Sequence, residues 1–329
     1  MVTIRGRYCS LSWLTGEHPT IVTEFIPPSP FSCFIASRGT PVVPSRLPQH
    51  PPQPPGALPQ NGSAQSFATG FADQPVILAR LKFHYLPTRT YAPYAENAQA
   101  WEPSSPPWSV DAPAADINLF KAFNVHSGMV VGEPTIATIS PESLQHYPVA
   151  LMTEVGYLDL TPPEAEALRE WLLRGGFLII DDFHGPDEWH HLLHTELPKV
   201  FPELHREPHN LRSGEDACFE LDGKRFSIRD IPPAHAIFEI PYKITDVPPV
   251  IPGLRALTAY RCYETSETQS EIKGLFHPAG RIMIVINHNM DIGDSWEHAF
   301  DPDYSNMLHP YVKPAFHLGI NYLFYGLTH

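Results

Sequence analysis

Near the middle of the chain the spacing of apolar residues switches from continuous to helical and back, outlining a strand, a helix and a second strand. Val149-Ala150-Leu151-Met152 is an unbroken apolar run ending in Thr153-Glu154, the pattern of a strand covered on both faces. After Thr161-Pro162-Pro163-Glu164 the apolar positions become Ala165, Leu168 and Leu172, one face of a helix, with Glu166, Arg169 and Glu170 elsewhere. Thr161 is a capping residue, Pro162 suits the first turn, and Glu164 completes a capping box. Gly175-Gly176 supplies the left-handed backbone that stops a helix. Phe177 to Ile180 is a second continuous apolar run, and Asp181-Asp182 follows it directly. The spacing predicts a βαβ unit, hence parallel strands.

Elsewhere the pattern is shorter-ranged. Leu81, Phe83 and Tyr85 alternate with Lys82 and His84, a period-two strand signal within Val76 to Tyr85. Ala114 to Asn124 places Ile117, Phe120 and Phe123 at helical spacing, and Val130-Val131 suggests a brief strand. Pro186 to Leu197 reads as a helix, and Phe219 to Ile228 as a hairpin turning at Asp222-Gly223. Ile272 to Phe276 and Arg281 to Ile286 are two strands joined at His277-Pro278-Ala279-Gly280. Ala315 to Leu327 is an apolar closing helix. Val149–Met152, Phe177–Ile180 and Ile282–Ile286 are expected to be neighbouring inner strands.

Composition changes this picture mainly at the start. Residues 1–74 hold Pro27-Pro28-Ser29-Pro30 and Pro51-Pro52-Gln53-Pro54-Pro55, and proline removes backbone donors and fixes φ. They read as a disordered leader, leaving 75–329 as a single α/β domain. The formal net charge of −14 argues against nucleic acid as a partner, because phosphate binding needs a basic surface. No apolar run is long enough to span a membrane, and no clear signal peptide is present. Cys9, Cys33, Cys218 and Cys262 form no C-x-x-C pair.

The candidate chemistry follows from the parallel strands. Ligands of open parallel sheets bind beyond the carboxyl ends of the strands. Glu154 follows the first inner strand, Asp181 and Asp182 the second, and Asn287-His288-Asn289 the third. A carboxylate pair can hold a hard cation or share a proton, so Asp181 and Asp182 are candidate catalytic or metal-binding residues. The competing reading is helix capping. Asn287, Asn289 and Asp291 at alternate positions resemble a calcium loop, but Ile292 and His298 stand where an EF-hand needs glycine and glutamate. His184, His190, His191 and His194 suggest zinc without forming an H-E-x-x-H motif. No cysteine or serine stands in the context of a nucleophilic elbow.

Three segments together resemble a known family. They are Tyr147 to Gly185, Gly280 to Glu297, and Leu318 to His329. The chain from about residue 78 resembles the bacterial domain-of-unknown-function family numbered four-one-five-nine. That resemblance implies a class I glutamine-amidotransferase-like α/β fold: a three-layer αβα sandwich with a mostly parallel, flavodoxin-like sheet. It brings no reaction with it, and leans towards export. Within its motifs Phe183, Asp294, Trp296 and Glu297 join Glu154, Asn287 and Asn289 as candidate ligand-binding residues, and His235 matches a family position as a candidate base. The expected site is one acidic, amide-rich pocket at the carboxyl edge, binding a small polar ligand or a protein partner. The alternative is a carboxylate-dependent hydrolase. Oxygen-rich ligation favours magnesium or calcium over zinc.

Overall fold

The structure is a computed structural model and describes residues 78–87, 105–129, 132–206, 211–265, 269–302 and 304–329. The leader at 1–74 and the suggested strand at Val130-Val131 lie outside the described residues. The described elements build one eight-stranded sheet with helices against it. Its strands are β1 (Leu78–Lys82), β2 (Thr135–Thr138), β3 (Val149–Thr153), β4 (Phe177–Phe183), β5 (Glu215–Leu221), β6 (Lys224–Asp230), β7 (Glu271–Phe276) and β8 (Ile282–His288). They lie in the order β2-β1-β3-β4-β8-β7-β6-β5.

The sheet is mixed. From β2 to β8 every pairing is parallel, with Val149 to Thr153 running in register beside Phe177 to Asp181 and Leu178 beside Ile284. The three expected inner strands are therefore neighbours. From β8 outward the pairings β8–β7, β7–β6 and β6–β5 are antiparallel: short turns join β5 to β6 and β7 to β8, and a long segment, 231–270, joins β6 to β7. The β5–β6 turn is the expected Asp222-Gly223 pair, with φ of 52° and 70°. Both residues are left-handed, as the tightest hairpin turns require. The expectation of a mostly parallel sheet thus holds for one side only.

Helices α1 (Ala114–Ser127), α2 (Pro141–Leu144), α3 (Pro162–Leu173), α4 (Pro186–His191), α5 (Leu197–Val200), α6 (Leu254–Thr258), α7 (Gly293–Glu297) and α8 (Ser305–Thr328) complete the described elements, with several short 3-10 turns. The capping box of α3 forms: the Thr161 N–H donates to Glu164 at 2.9 Å. The helix expected over Pro186 to Leu197 is instead broken into α4, a π-wound turn over Leu192–Glu196, and α5. Pro198 has no N–H for the carbonyl four residues back, which loosens the winding there. The closing helix starts earlier than expected and runs through Pro310 and Pro314.

Alternating strand residues feed two apolar cores. Leu178, Ile180 and Ile286 pack with Leu168 and Leu172 of α3 on one face. Phe177, Ile179 and Val285 pack with Phe123 of α1, Trp296 of α7, and Leu318 and Tyr322 of α8 on the other. The central strands are therefore buried throughout, and chemistry is left to their ends.

Candidate functional site

Three neighbouring strands end in the same unusual way. Glu154 after β3, Asp182 within the last turn of β4 and Asn289 after β8 have φ of 53°, 53° and 59°. A non-glycine residue in the left-handed region costs of order 1 kcal/mol and persists only where its surroundings hold it. On β4 the cause is visible as an irregularity of the β4–β8 ladder between Ile180 and Phe183. A bulge inserts a residue and re-aims the side chains around it. Adjacent residues of a strand point to opposite faces, and Asp181 and Asp182 here meet different surroundings.

Asp181 is fully buried and turned towards the segment that follows β8. Its carboxylate accepts from Asn287 Nδ2 at 2.9 Å, from Ile292 N–H at 3.1 Å and from Gly293 N–H at 2.8 Å. Asn287 in turn accepts from the Tyr322 hydroxyl at 2.7 Å. Burial raises the Asp181 pKa from 3.8 to about 6, against the lowering effect of these hydrogen bonds. Asp181 and Asn287 therefore tie α7 and α8 to the sheet. Asn289 has a similar job: its side-chain oxygen accepts from Thr265 N–H at 2.8 Å and anchors the 261–265 loop.

Asp182 faces a different environment. It is buried, and its pKa is raised well above the ordinary value, first by burial and then by Glu154, Asp111, Glu264 and Asp294. His184 sits among these acids. Its Nδ1 lies 3.7 Å from Glu154 and 3.3 Å from Glu188, and its Nε2 lies 3.5 Å from Asp182 and 3.8 Å from Glu264. Glu188 also accepts from the His184 N–H at 2.8 Å, and Glu264 from the Gly253 N–H at 2.7 Å, so the acids are positioned by backbone. One ligand atom from each of Glu154, Asp182 and His184 falls within 4.8 Å of the others, close enough for a single ion.

The acidic region continues along the edge to α7. Asp291 accepts from the Asp294 N–H at 2.9 Å, and Asp294 from the Leu254 N–H at 2.6 Å. Burial, then Asp294 and Asp182, holds the Asp291 pKa well above its ordinary value. Asp294, Glu297 and His298 form a second group whose ligand atoms lie within 4.8 Å of one another. Burial, then Asp294, raises the Asp111 pKa well above its ordinary value; Arg80 opposes this, but its guanidinium is engaged by both oxygens of Asp116 at 2.9 and 3.0 Å.

Of the residues singled out in the sequence, Glu154, Asp181, Asp182, Asn287, Asn289, Asp294 and Glu297 converge on this edge. His235 does not. It packs against Phe276 and Tyr325, at the opposite end of the strands, and its Nδ1 accepts from the Ile237 N–H. Phe183 and Trp296 are core residues on opposite faces of the sheet. Of the histidines weighed for zinc, His184 joins the acids, while His190 and His194 stack on each other and His191 reaches the Leu158 carbonyl. Asp111, Glu188 and Glu264 were not legible as site residues. Asp111 and Glu264 stand in irregular segments without periodicity, and Glu188 reads as an ordinary acid in the first turn of a helix. Two open grooves, of about 680 and 400 Å³, lie along α3 and contain none of the site acids.

No helix among the described residues is long and apolar enough to cross a membrane. A comparison with curated proteins finds no match. The family model described as "Domain of unknown function (DUF4159)" matches residues 95–212 and 225–327. The matched stretches hold every acid of the site, and the break between them falls on β5 and its turn. They cover well over half of the chain, which therefore belongs to the DUF4159 family.

Proposed function

We propose that this protein binds a divalent cation at the carboxyl edge of its sheet, through Glu154, Asp182 and His184, and uses it to hold a small polar ligand. The observation that carries this reading is one imidazole surrounded by four buried carboxylates at 3.3 to 3.8 Å. Ionised carboxylates buried together repel one another and need a counter-charge or a proton. The expectation of magnesium or calcium rested on an all-oxygen set. An imidazole nitrogen moves the preference towards manganese or zinc. Titration calorimetry on protein stripped with EDTA tests this with Mn²⁺, Zn²⁺, Mg²⁺ and Ca²⁺. Mn²⁺ or Zn²⁺ binds, and Glu154→Gln or His184→Ala weakens binding by roughly 10–100-fold. Failure of all four cations to bind would remove the reading.

Hydrolysis assisted by the cation is the second reading, supported by the raised pKa of the buried Asp182, as a general acid or base requires. Metal-dependent turnover of a panel of esters and phosphate esters would favour it. For the fold, the order β2-β1-β3-β4-β8 and the helices on both faces support a flavodoxin-like sandwich extended by an antiparallel edge. The left-handed positions that could carry a nucleophile in an amidotransferase-like site hold Glu154 and Asp182, so carboxylate chemistry is favoured over cysteine chemistry.

A further inference from the structure

We infer that Glu188 is a positioning residue for the cation site: His184 donates its Nδ1–H to Glu188, which leaves Nε2, on the side of Asp182, as the nitrogen that ligates. The inference rests on the cation site proposed above. Of the four carboxylates around the imidazole, Glu188 is the nearest, with Oε1 3.3 Å from Nδ1. The ligand atoms close enough to share one ion come from Glu154, Asp182 and His184, and Glu188 is not among them. It faces the ring from outside that group.

Glu188 is held in place from two sides. It is the third residue of α4 and is fully buried. Its Oε2 accepts from the His184 N–H at 2.8 Å, so one carboxylate grips the backbone of His184 with one oxygen and faces its ring with the other. Behind it lies Gly156, in the 3-10 turn Val155–Tyr157 that follows Glu154. A Cβ at position 156 would lie 2.3 Å from Glu188 Oε1, so a side chain there would push the carboxylate away. One short stretch thus supplies a cation ligand, Glu154, and the room for the group that orients another.

A neutral imidazole has one N–H and one lone pair, and a cation takes the lone pair. Which nitrogen ligates is therefore set by what the other one meets. A carboxylate that accepts the remaining N–H fixes the tautomer and the ring orientation, and makes the ligating nitrogen more basic. One rival is that Glu188 only caps the start of α4 through the His184 N–H, with the ring contact incidental. The other is that the cation sits on Nδ1, between Glu188 and Glu154, whose Oε2 is 3.7 Å from that nitrogen.

The test compares the native full chain with Glu188→Gln, using Zn²⁺ as the probe. Calorimetry gives the affinity, and long-range ¹H–¹⁵N correlation of the His184 ring in the Zn²⁺-loaded protein shows which nitrogen holds the metal and which the proton. The glutamine oxygen keeps the bond from the His184 N–H, but its N–H₂ then meets Nδ1 and opposes a proton there. In the native protein Zn²⁺ is on Nε2 and the proton on Nδ1. In Glu188→Gln the affinity falls by roughly 10–100-fold and Nδ1 no longer holds the proton. Loss of a charge alone weakens binding without moving the proton, and a capping role alone moves neither. Zn²⁺ on Nδ1 in the native protein, or a variant that keeps the Nδ1 proton or the native affinity, would overturn the inference and leave the cation site standing. Should Zn²⁺ not bind at all, the inference falls, and the cation site falls with it only if Mn²⁺, Mg²⁺ and Ca²⁺ fail too. If circular dichroism shows Glu188→Gln to be misfolded, the native ring assignment decides alone.

Discussion

Two adjacent residues of one type do opposite work here, and their environments say which is which. Asp181 is fully buried but meets three donors, two of them backbone N–H groups of the α7 segment. Asp182 is equally buried, and its principal neighbours are other acids. Replacing Asp181 by asparagine puts an amide N–H₂ or a single weaker acceptor against those donors, at a cost of about 1–3 kcal/mol. Replacing Asp182 by asparagine removes a repelled charge, keeps the shape, and keeps a residue tolerant of left-handed backbone. In the presence of EDTA, Asp181→Asn should therefore melt several degrees lower than the native protein. Asp182→Asn should melt at the same temperature or higher, while losing cation binding. Thermal melts of the two variants side by side check this, and equal losses in both would show that Asp182 is a structural cap like its neighbour.

At the scale of elements, the sheet's central strands carry the fold. Ile179 lies in the middle of β4, with β3 and β8 paired on either side, and is 1% exposed. An aspartate there would bury a charge with no partner, so Ile179→Asp should lose more than about 4 kcal/mol and fail to give a cooperative melt. A melt within a few degrees of native would contradict the position of β4. These central elements were the most legible in sequence, because each signal was local. The apolar runs of β3, β4 and β8, the Thr161–Glu164 capping box and the Asp222-Gly223 turn need only a few adjacent residues to be read. The parts that escaped reading depend on distant ones. The β7–β8 hairpin was legible, but whether β6 pairs with β7 and extends the sheet depends on which edge that hairpin leaves open. The break of the 186–200 helix is a competition between a good amphipathic pattern and one proline. The site divides in the same way: Glu154 and Asp182 were legible from their places at strand ends, whereas Asp111 and Glu264 reach the edge through irregular loops whose course no periodicity records.

At the scale of the whole molecule, the net charge of −14 is not spread evenly but is partly gathered in one buried edge, and this has a consequence for pH. Asp111, Asp182 and Asp291 have pKa values well above the ordinary range, mainly through burial, and that of Asp181 is about 6. A group whose folded pKa is raised adds stability that is complete below its unfolded value and is lost as pH climbs through its folded value. For Asp181 that window runs from 3.8 to about 6 and corresponds to about 3 kcal/mol. The other three acids act in the same direction. Asp159, held down by Lys199, and Glu215, held down by Arg225 against its own burial, act oppositely, since their contribution disappears as pH falls through their folded values. The Asp159 pair is about a third exposed, where such pairs contribute little, and Glu215 is one group against four. Without metal, the melting temperature should therefore rise by several degrees as pH is lowered from about 7.5 to about 5.5. A bound cation removes the repulsion but requires the acids ionised and His184 neutral, so its stabilisation grows with pH. With saturating Mn²⁺ the slope should flatten or reverse, and the curves with and without EDTA should meet near pH 5, where protons replace the cation. Melts across this range in both conditions check the argument. Identical curves would mean that these acids carry protons rather than a metal at neutral pH, and that the edge stays neutral by holding protons instead of binding a cation.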